Sequence, residues 1–324
     1  MESRTKLATL TKQASKSAIE KKTFLQKIKT ALRKDWQLYA LIAGPLIYIF
    51  IFRYIPIVGN IIAFRRFSPG GSILGDEWVG FHFFRMFIND ASFWNAFKNT
   101  FIIGVLTLLF TFPMPIILAL LLNEIKALRF KKLVQTISYL PHFLSVVVLV
   151  GMIMELTAAN GPINQWVEWV TGERILFMQE AGWFRTIFVT SRVWQTTGWG
   201  TILYLAALTN IDPTLYEAAK VDGANRWYQT VHVTLPGIMP TIITLLILNV
   251  GGVMAVGFEQ ILLMYNPLTF ATADVISTYV FRVGMQANNF SYATAIGLFE
   301  SIIGITFITS ANLIARKLTD RSLW

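Results

Sequence analysis

EAAKVDGANRWYQTVHVTLP, residues 217–236, is polar and helix-forming, yet it lies between two long apolar runs. Upstream, Asp212 suits a helix N-cap, with Pro213 at the first helical position. That start predicts a helix through TLYEAAKVD, ended by Gly223 in the left-handed conformation. A second helix over ANRWYQTVHVT follows, until Leu235 and Pro236 turn the chain into the next apolar run. Residues 212–236 thus read as a helix–glycine–helix elbow. Ala218 and Ala219 give it a small-residue face that another protein can approach closely, and Glu217 sets one directional charge at its edge.

Composition explains why such an elbow stands out. The 324 residues are 54% hydrophobic and only 14% charged, against about 25% charged in an average soluble domain. A soluble core of this size cannot hide so much apolar surface, so the bilayer is the natural solvent. The absence of cysteine excludes disulfides, thiol catalysis and Cys-based metal sites. His82, His142 and His232 lie far apart and show no metal-ligand spacing. The first 35 residues are basic and polar, with no apolar run behind a short charged one, so a cleaved signal peptide is not expected.

A membrane helix needs roughly 20 mainly apolar residues at about 1.5 Å rise each. Six segments qualify: 36–63, 97–122, 134–157, 183–208, 238–264 and 289–315. The expected fold is therefore all-α and polytopic, with a basic segment 1–35, a six-helix domain 36–315 and a tail 316–324. Lys and Arg are retained on the cytoplasmic side of a membrane. Nineteen of the 28 fall on one side, in the N-terminal segment, NEIKALRFKKL, the elbow (Lys220, Arg226) and the tail (Arg316, Lys317, Arg321). Seven fall on the other: Arg65, Arg66, Arg85, Lys98, Arg174, Arg185 and Arg282. Both termini and the elbow are then cytoplasmic, with the elbow between spans four and five. The net charge of +10 is read as a topology signal rather than as nucleic-acid binding.

The outer connections carry Gly, Pro and aromatics, and an interfacial amphipathic helix is expected over 81–93. The basic N-terminal segment is either a solvated topology anchor or a helix lying on anionic lipid. Pro45, Pro56, Pro113, Pro115, Pro141, Gly151, Gly198, Gly200, Gly251 and Gly252 fall inside the spans, which suits a bundle with kinks and close contacts.

The elbow carries a longer pattern. Glu217-Ala218-Ala219 is followed by Gly223, and nine residues later by Val233-Thr234-Leu235-Pro236. In this the chain resembles the permeases of binding-protein-dependent ABC importers, whose motif has Ile where Val233 stands. FRYIPIVGNIIAF, ISYLPHFLSVVVLVGMI, GPIN and GWGTILYLAALTNIDPTLYEAAKVDGA extend the resemblance over the whole chain. They are similar to the maltose-type carbohydrate branch, and within it to permeases for oligosaccharides of plant and algal polysaccharides, including permease subunits of bacterial alginate importers. The resemblance implies a coupling helix seated in a cleft of a separate ATPase, with Glu217 meeting a basic residue there and Gly223 permitting the turn. It also implies the partners: a second, homologous permease, an ATPase dimer that binds ATP and Mg, and a periplasmic or extracellular solute-binding protein. The implied location is the bacterial inner membrane, and the implied mechanism is alternating access. The chain has no G-x-x-x-x-G-K-[ST] phosphate loop, so it is not expected to be an enzyme or to hold a cofactor itself.

The substrate path can be read from the residues. Arg192, Gln195, Thr196 and Trp199 recur at i, i+3, i+4 and i+7 in span four, which puts them on one helix face. Asn249 and Val253 in span five reach similar depth. A charge facing lipid there costs at least ~2.5–3.5 kcal/mol, so Arg192 should point into the bundle or a wet cavity. An aromatic ring beside amide, hydroxyl and guanidinium groups suits a sugar, and Arg192 would also attract a uronate carboxylate. The other reading has Arg192 snorkelling, or paired with Glu259 or Glu300 to lock the bundle. Arg53 and Glu155 are read as interface residues. The expected cargo is an acidic, alginate-type oligosaccharide, with neutral oligosaccharides as the alternative. A secondary transporter would use midplane carboxylates such as Glu259 and Glu300, but no internal repeat accompanies them and the elbow would lack a purpose. An intramembrane enzyme needs a nucleophile–base pair, and His142 has no partner motif.

Overall fold

A computed structural model describes residues 33–319; most of the basic segment 1–35 and the end of the tail 316–324 lie outside the described residues. The chain divides into two compact units, Met1–Asn60 and Ile61–Trp324. In the first, α1 (Trp36–Ile49) passes through a π-turn (Phe50–Tyr54) into α2 (Ile55–Gly59). Pro56 lacks the N–H that an α-helix would need, and the wider turn just before it absorbs the mismatch. Large apolar side chains from Trp36 to Val58 are exposed all round this helix, as in a segment solvated by lipid. Arg53 sits in the π-turn.

The second unit opens with a two-residue antiparallel pair, β1 (Arg65–Arg66) and β2 (Glu77–Trp78), with Arg65 opposite Trp78. Next come α3 (His82–Ile88), α4 (Ala91–Thr111) and α5 (Pro113–Glu124). α6 (Leu128–Tyr139) ends in a 3-10 turn (Leu140–Phe143), followed by α7 (Val146–Thr157) and α8 (Pro162–Thr171). α9 (Ala181–Leu208) is the long central helix. The elbow contains α10 (Pro213–Val221) and α11 (Arg226–Gln229), and a π-turn (Thr230–Thr234) leads into α12 (Leu235–Gly251). Short helices α13 (Phe258–Met264), α14 (Phe270–Ala273) and α15 (Ile276–Phe281) precede the 30-residue α16 (Phe290–Thr319).

Among the described residues five helical runs are long and apolar enough to cross a membrane: Trp36–Phe64, Ala91–Glu124, Val146–Thr171, Arg226–Gly251 and Phe290–Lys317. The expected fourth span is a continuous helix, but Arg185, Arg192, Gln195 and a run of Thr and Ser make it too polar to join them. It has no need to be apolar all round. Within its unit α9 is packed by α4, α5, α6, α12 and α14. Two expected spans are broken. Segment 134–157 is interrupted at 140–145, where Pro141 starts a 3-10 turn and Ser145 caps α7 by accepting from the Val148 N–H. Segment 238–264 is interrupted at 252–257, between α12 and α13. The expected interfacial helix 81–93 is also two pieces. α3 buries Phe83 and Phe87 in a core cluster, and Asp90 restarts the helix as the cap of α4.

Backbone-to-backbone contact holds these pieces together. A Cβ on Gly104 of α4 would overlap the Val253 carbonyl in the 252–257 break, and one on Gly198 of α9 would overlap the Ser138 carbonyl of α6. Asp90 ties α4, α15 and α16: it accepts from the Ser92 N–H at 2.8 Å, Tyr279 Oη at 2.5 Å and Tyr292 Oη at 3.2 Å. Burial raises the Asp90 pKa, but these donors outweigh it and hold the carboxyl below its usual range. Arg282 forms a bidentate pair with Asp274 at 2.6 and 3.1 Å, a geometry that fixes direction as well as charge.

Gly104→Ala is expected to destabilise the folded protein by about 1–3 kcal/mol, because backbone cannot move aside as a side chain does. Gly151→Ala, which meets nothing within 4 Å, should be neutral or stabilising. Thermal unfolding of the detergent-solubilised protein checks the pair, and equal stabilities would remove the close-contact argument.

Candidate functional site

Two regions border this architecture's central helix: an exposed elbow beyond its C-terminus and a cavity along its middle. The elbow is built by local rules. The Asp212 carboxylate accepts from the Thr214 N–H at 2.9 Å, which lowers its pKa, and Pro213 fills the first helical position. At the other end the Ala224 N–H donates to Ala219 O at 2.9 Å and the Gly223 N–H to Lys220 O at 3.1 Å. This pair of bonds is a Schellman ending, and it needs the φ of +77° that Gly223 adopts. A Cβ there would meet nothing, so conformation alone calls for glycine.

Asn225 then caps α11 by accepting from the Tyr228 N–H at 3.0 Å. Contrary to expectation, Leu235 and Pro236 do not end this helix. It runs from Arg226 to Gly251, with the π-turn upstream of Pro236 taking up the missing donor. Tyr216 Oη and Thr234 Oγ1 lie 3.0 Å apart and tie α10 to that turn, and Arg226 pairs with Glu124 at 3.5 Å. Glu217, Ala218 and Gly223 are exposed and Ala219 is half-buried. Among the described residues Glu217 has no ion-pair partner. Leu215, Val221, Trp227 and Tyr228 are exposed around it, an apolar surface on a polar segment.

The cavity, of about 430 Å³, lies among α4, α9, α12 and the 252–257 break. Of the residues read onto the path, Arg192, Thr196, Asn249 and Val253 line it, together with Thr107, Thr111 and Tyr204, which the sequence reading did not name. Gln195 and Trp199 do not line it. Gln195 is buried beside the cavity, 3.4 Å from the Arg192 Nη1 that donates to it. Trp199 stacks instead on the His142 ring, with centroids 4.6 Å apart. Glu259 and Glu300 form no ion pair with Arg192, and among the described residues Arg192 has none.

The lining has a definite chemical bias. Thr196 Oγ1 donates to Arg192 O, Thr111 Oγ1 to Thr107 O, and Asn249 Nδ2 to Leu245 O, each at 2.7 Å. The two threonine hydrogens and one of the two Asn249 amide hydrogens are spent on their own helices, leaving hydroxyl and amide oxygens free to accept. Thr107 Oγ1 is buried without a partner. Among the described residues Arg192 is the one charged side chain in the lining. The wall therefore offers several oxygen acceptors to hydroxyl groups and, through Arg192, a charged donor to an anion. Non-helical backbone at 252–257, between apolar helices, is tolerated where it faces a wet cavity, and this break does so through Gly252, Val253 and Gly257. Gly251, Gly252 and Gly257 were the signal available in the sequence.

Known proteins resemble the chain over most of its length. Residues 112–322 match the family described as binding-protein-dependent transport system inner membrane component. Protein LplB of Bacillus subtilis (strain 168) is 44% identical, over 91% of this chain and 93% of its own. The polygalacturonan/rhamnogalacturonan transport system permease protein YteP of the same organism is 41% identical, over 95% and 96%. A chain of a bacterial alginate ABC transporter, crystallised with an alginate pentasaccharide-bound periplasmic protein, superposes with a TM-score of 0.83 at 39% identity, covering 91% of this chain and 99% of that one.

If φ alone fixes position 223, Gly223→Ala costs the elbow about 1–2 kcal/mol. Exchange of the Asp222 and Ala224 amides should then accelerate roughly tenfold, with a smaller effect for Gly223→Asn. Equal losses in both variants would mean that something other than backbone conformation demands glycine.

Proposed function

The chain belongs to the family of binding-protein-dependent transport system inner membrane components, and within it we propose that it is the permease subunit of an ATP-driven importer of acidic oligosaccharides. One observation carries the cargo class: a cavity whose only charged lining residue is Arg192, surrounded by oxygen acceptors. Uronate sugars offer what that wall lacks, a carboxylate for the guanidinium and hydroxyl donors for Thr111, Thr196 and Asn249. Relatives named for polygalacturonan and alginate transport support the same class. Neutral oligosaccharides would use the acceptors but leave Arg192 without its anion.

In this reading six helices cross the inner membrane, α9 among them, with both termini and the elbow on the cytoplasmic side. The partners are a second permease, an ATPase dimer that binds ATP and Mg, and an external solute-binding protein. Glu217 directs the elbow into the ATPase, the flush face of Ala218 and Ala219 permits close approach, and Gly223, Leu235 and Pro236 set its shape. ATP-driven closure of the ATPases moves the elbows together and turns the cavity outward; hydrolysis returns it inward. Gln195 positions Arg192 rather than touching sugar.

Glu217→Ala should leave membrane insertion and assembly intact while weakening ATPase stimulation by the loaded binding protein. Full stimulation in that variant would remove the coupling role. Arg192→Ala should reduce uptake of uronate oligosaccharides by about tenfold or more, the scale of one lost charge-assisted pair at ~1.5–3 kcal/mol, and spare neutral ones. Equal losses for both sugars in reconstituted vesicles would make Arg192 a structural residue.

A further inference from the structure

α8 is folded inside out. A surface helix in water hides its apolar stripe and shows its polar face. Here Asn164 is fully buried, while Ile163, Trp166, Trp169 and Val170 stand outward at 39%, 63%, 83% and 56% exposure. Their spacing places them on one side of the helix, away from the body that Asn164 faces.

Its position is fixed with respect to the neighbouring span. Asn164 Nδ2 donates to Thr157 O at 3.3 Å, Ala158 O at 2.9 Å and Ile175 O at 2.8 Å, and its Oδ1 accepts from the Ile175 N–H at 2.9 Å. One amide thus clamps the first turn of α8 to the last residues of α7 and to the strand of chain leaving the helix. Gly161 lets the two elements come this close, because a Cβ there would overlap the Glu155 and Leu156 carbonyls. α7 opens the apolar run Val146–Thr171, which is broken at 158–161 before α8, and its own outward side chains, Val147, Met152 and Leu156 among them, are exposed. The exposed stripe of α8 therefore continues the lipid-facing surface of α7 beyond that break.

We propose that α8 is a membrane-interface anchor, lying along the bilayer surface with Trp166 and Trp169 at headgroup depth and Asn164 locking it to α7. Tryptophan is enriched at this depth because its ring is apolar and its N–H is polar. The polar connections are kept off the lipid: Arg174 donates to Glu168 at 2.8 Å and to Asn160 at 2.7 Å. The anchor fixes the height of the α7–α8 corner in the bilayer, and with it the chain that leads through 172–180 into the central helix α9. Its placement depends only on where α7 ends, so it holds whichever side of the membrane that end faces.

The chain has no cysteine, which makes site-specific labelling direct. Trp166→Cys, Trp169→Cys and, as a control on the opposite face, Glu168→Cys are spin-labelled in the assembled transporter in phospholipid nanodiscs. Collision with oxygen, which concentrates in lipid, is compared with collision with a water-soluble nickel chelate. Labels at 166 and 169 should meet oxygen several-fold more often than nickel, and the label at 168 the reverse. Nickel access at 166 and 169 equal to that at 168 would overturn the proposal. So would protection of those labels only after the binding protein is added, which would make the stripe a protein-docking surface. A label-free check uses Trp166→Phe combined with Trp169→Phe, which keeps the stripe apolar. Brominated lipid should quench the parent protein more strongly than this double variant; unchanged fractional quenching would count against the anchor.

Discussion

A charged, hydroxyl-rich helix cannot face hydrocarbon, and the architecture around α9 follows from that constraint. Arg185, Arg192 and Gln195 would each be costly in lipid, so other helices must surround the one that carries them. Arg185 donates to Asn99 Oδ1 of α4 at 2.8 Å, and Asn99 in turn donates to the Ala271 and Asp274 carbonyls near α14. The Thr201 hydroxyl, which donates to Thr197 O at 2.7 Å, also lies 3.3 Å from the Pro115 carbonyl of α5. Wrapping of this kind depends on close approach, since apolar contact alone gives no driving force between helices in a bilayer. Gly198 and Gly104 supply that approach where a methyl group would collide with backbone.

What could be read in the sequence divides along the same line between local and long-range causes. The elbow was legible because an N-cap, a proline at the first position and a left-handed glycine act within a few residues of one another. The central helix was legible as one long segment, and Arg192, Thr196, Asn249 and Val253, read onto one path, line one cavity. The interruptions at 140–145 and 252–257 were not, because apolar composition continues through both. The second depends on a carbonyl meeting Gly104 some 150 residues away in sequence. Trp199 shows the same limit. Spacing put it on the face of Arg192, but the His142 ring on which it stacks lies on another element. Helix α8 was passed over because its apolar residues are too few to suggest a span, and its polar anchor, Asn164, has partners on both sides of it in the chain.

The cavity and the broken helix are one feature seen from two sides. A helix that stops in mid-bundle leaves carbonyls and N–H groups without partners, and water or ligand must then satisfy them. The break at 252–257 meets part of this need with tight turns, as in the Gly252 N–H to Asn249 O bond at 3.0 Å and the Ala255 N–H to Gly252 O bond at 2.9 Å. Five of the six residues of the break, Gly252, Val253, Ala255, Val256 and Gly257, line the cavity, so the interrupted helix itself forms part of its wall.

The continuous helix from Arg226 to Gly251 has a mechanical consequence. Its 26 residues span about 39 Å at 1.5 Å each, with one end in the elbow and the other in the cavity wall at Asn249. The π-turn widens this rod without cutting it, because the Leu235 N–H still reaches the Thr230 carbonyl. Pro240 removes one further ladder bond from it without ending the helix. A single unbroken element thus joins the exposed surface around Trp227 to the wall of the cavity.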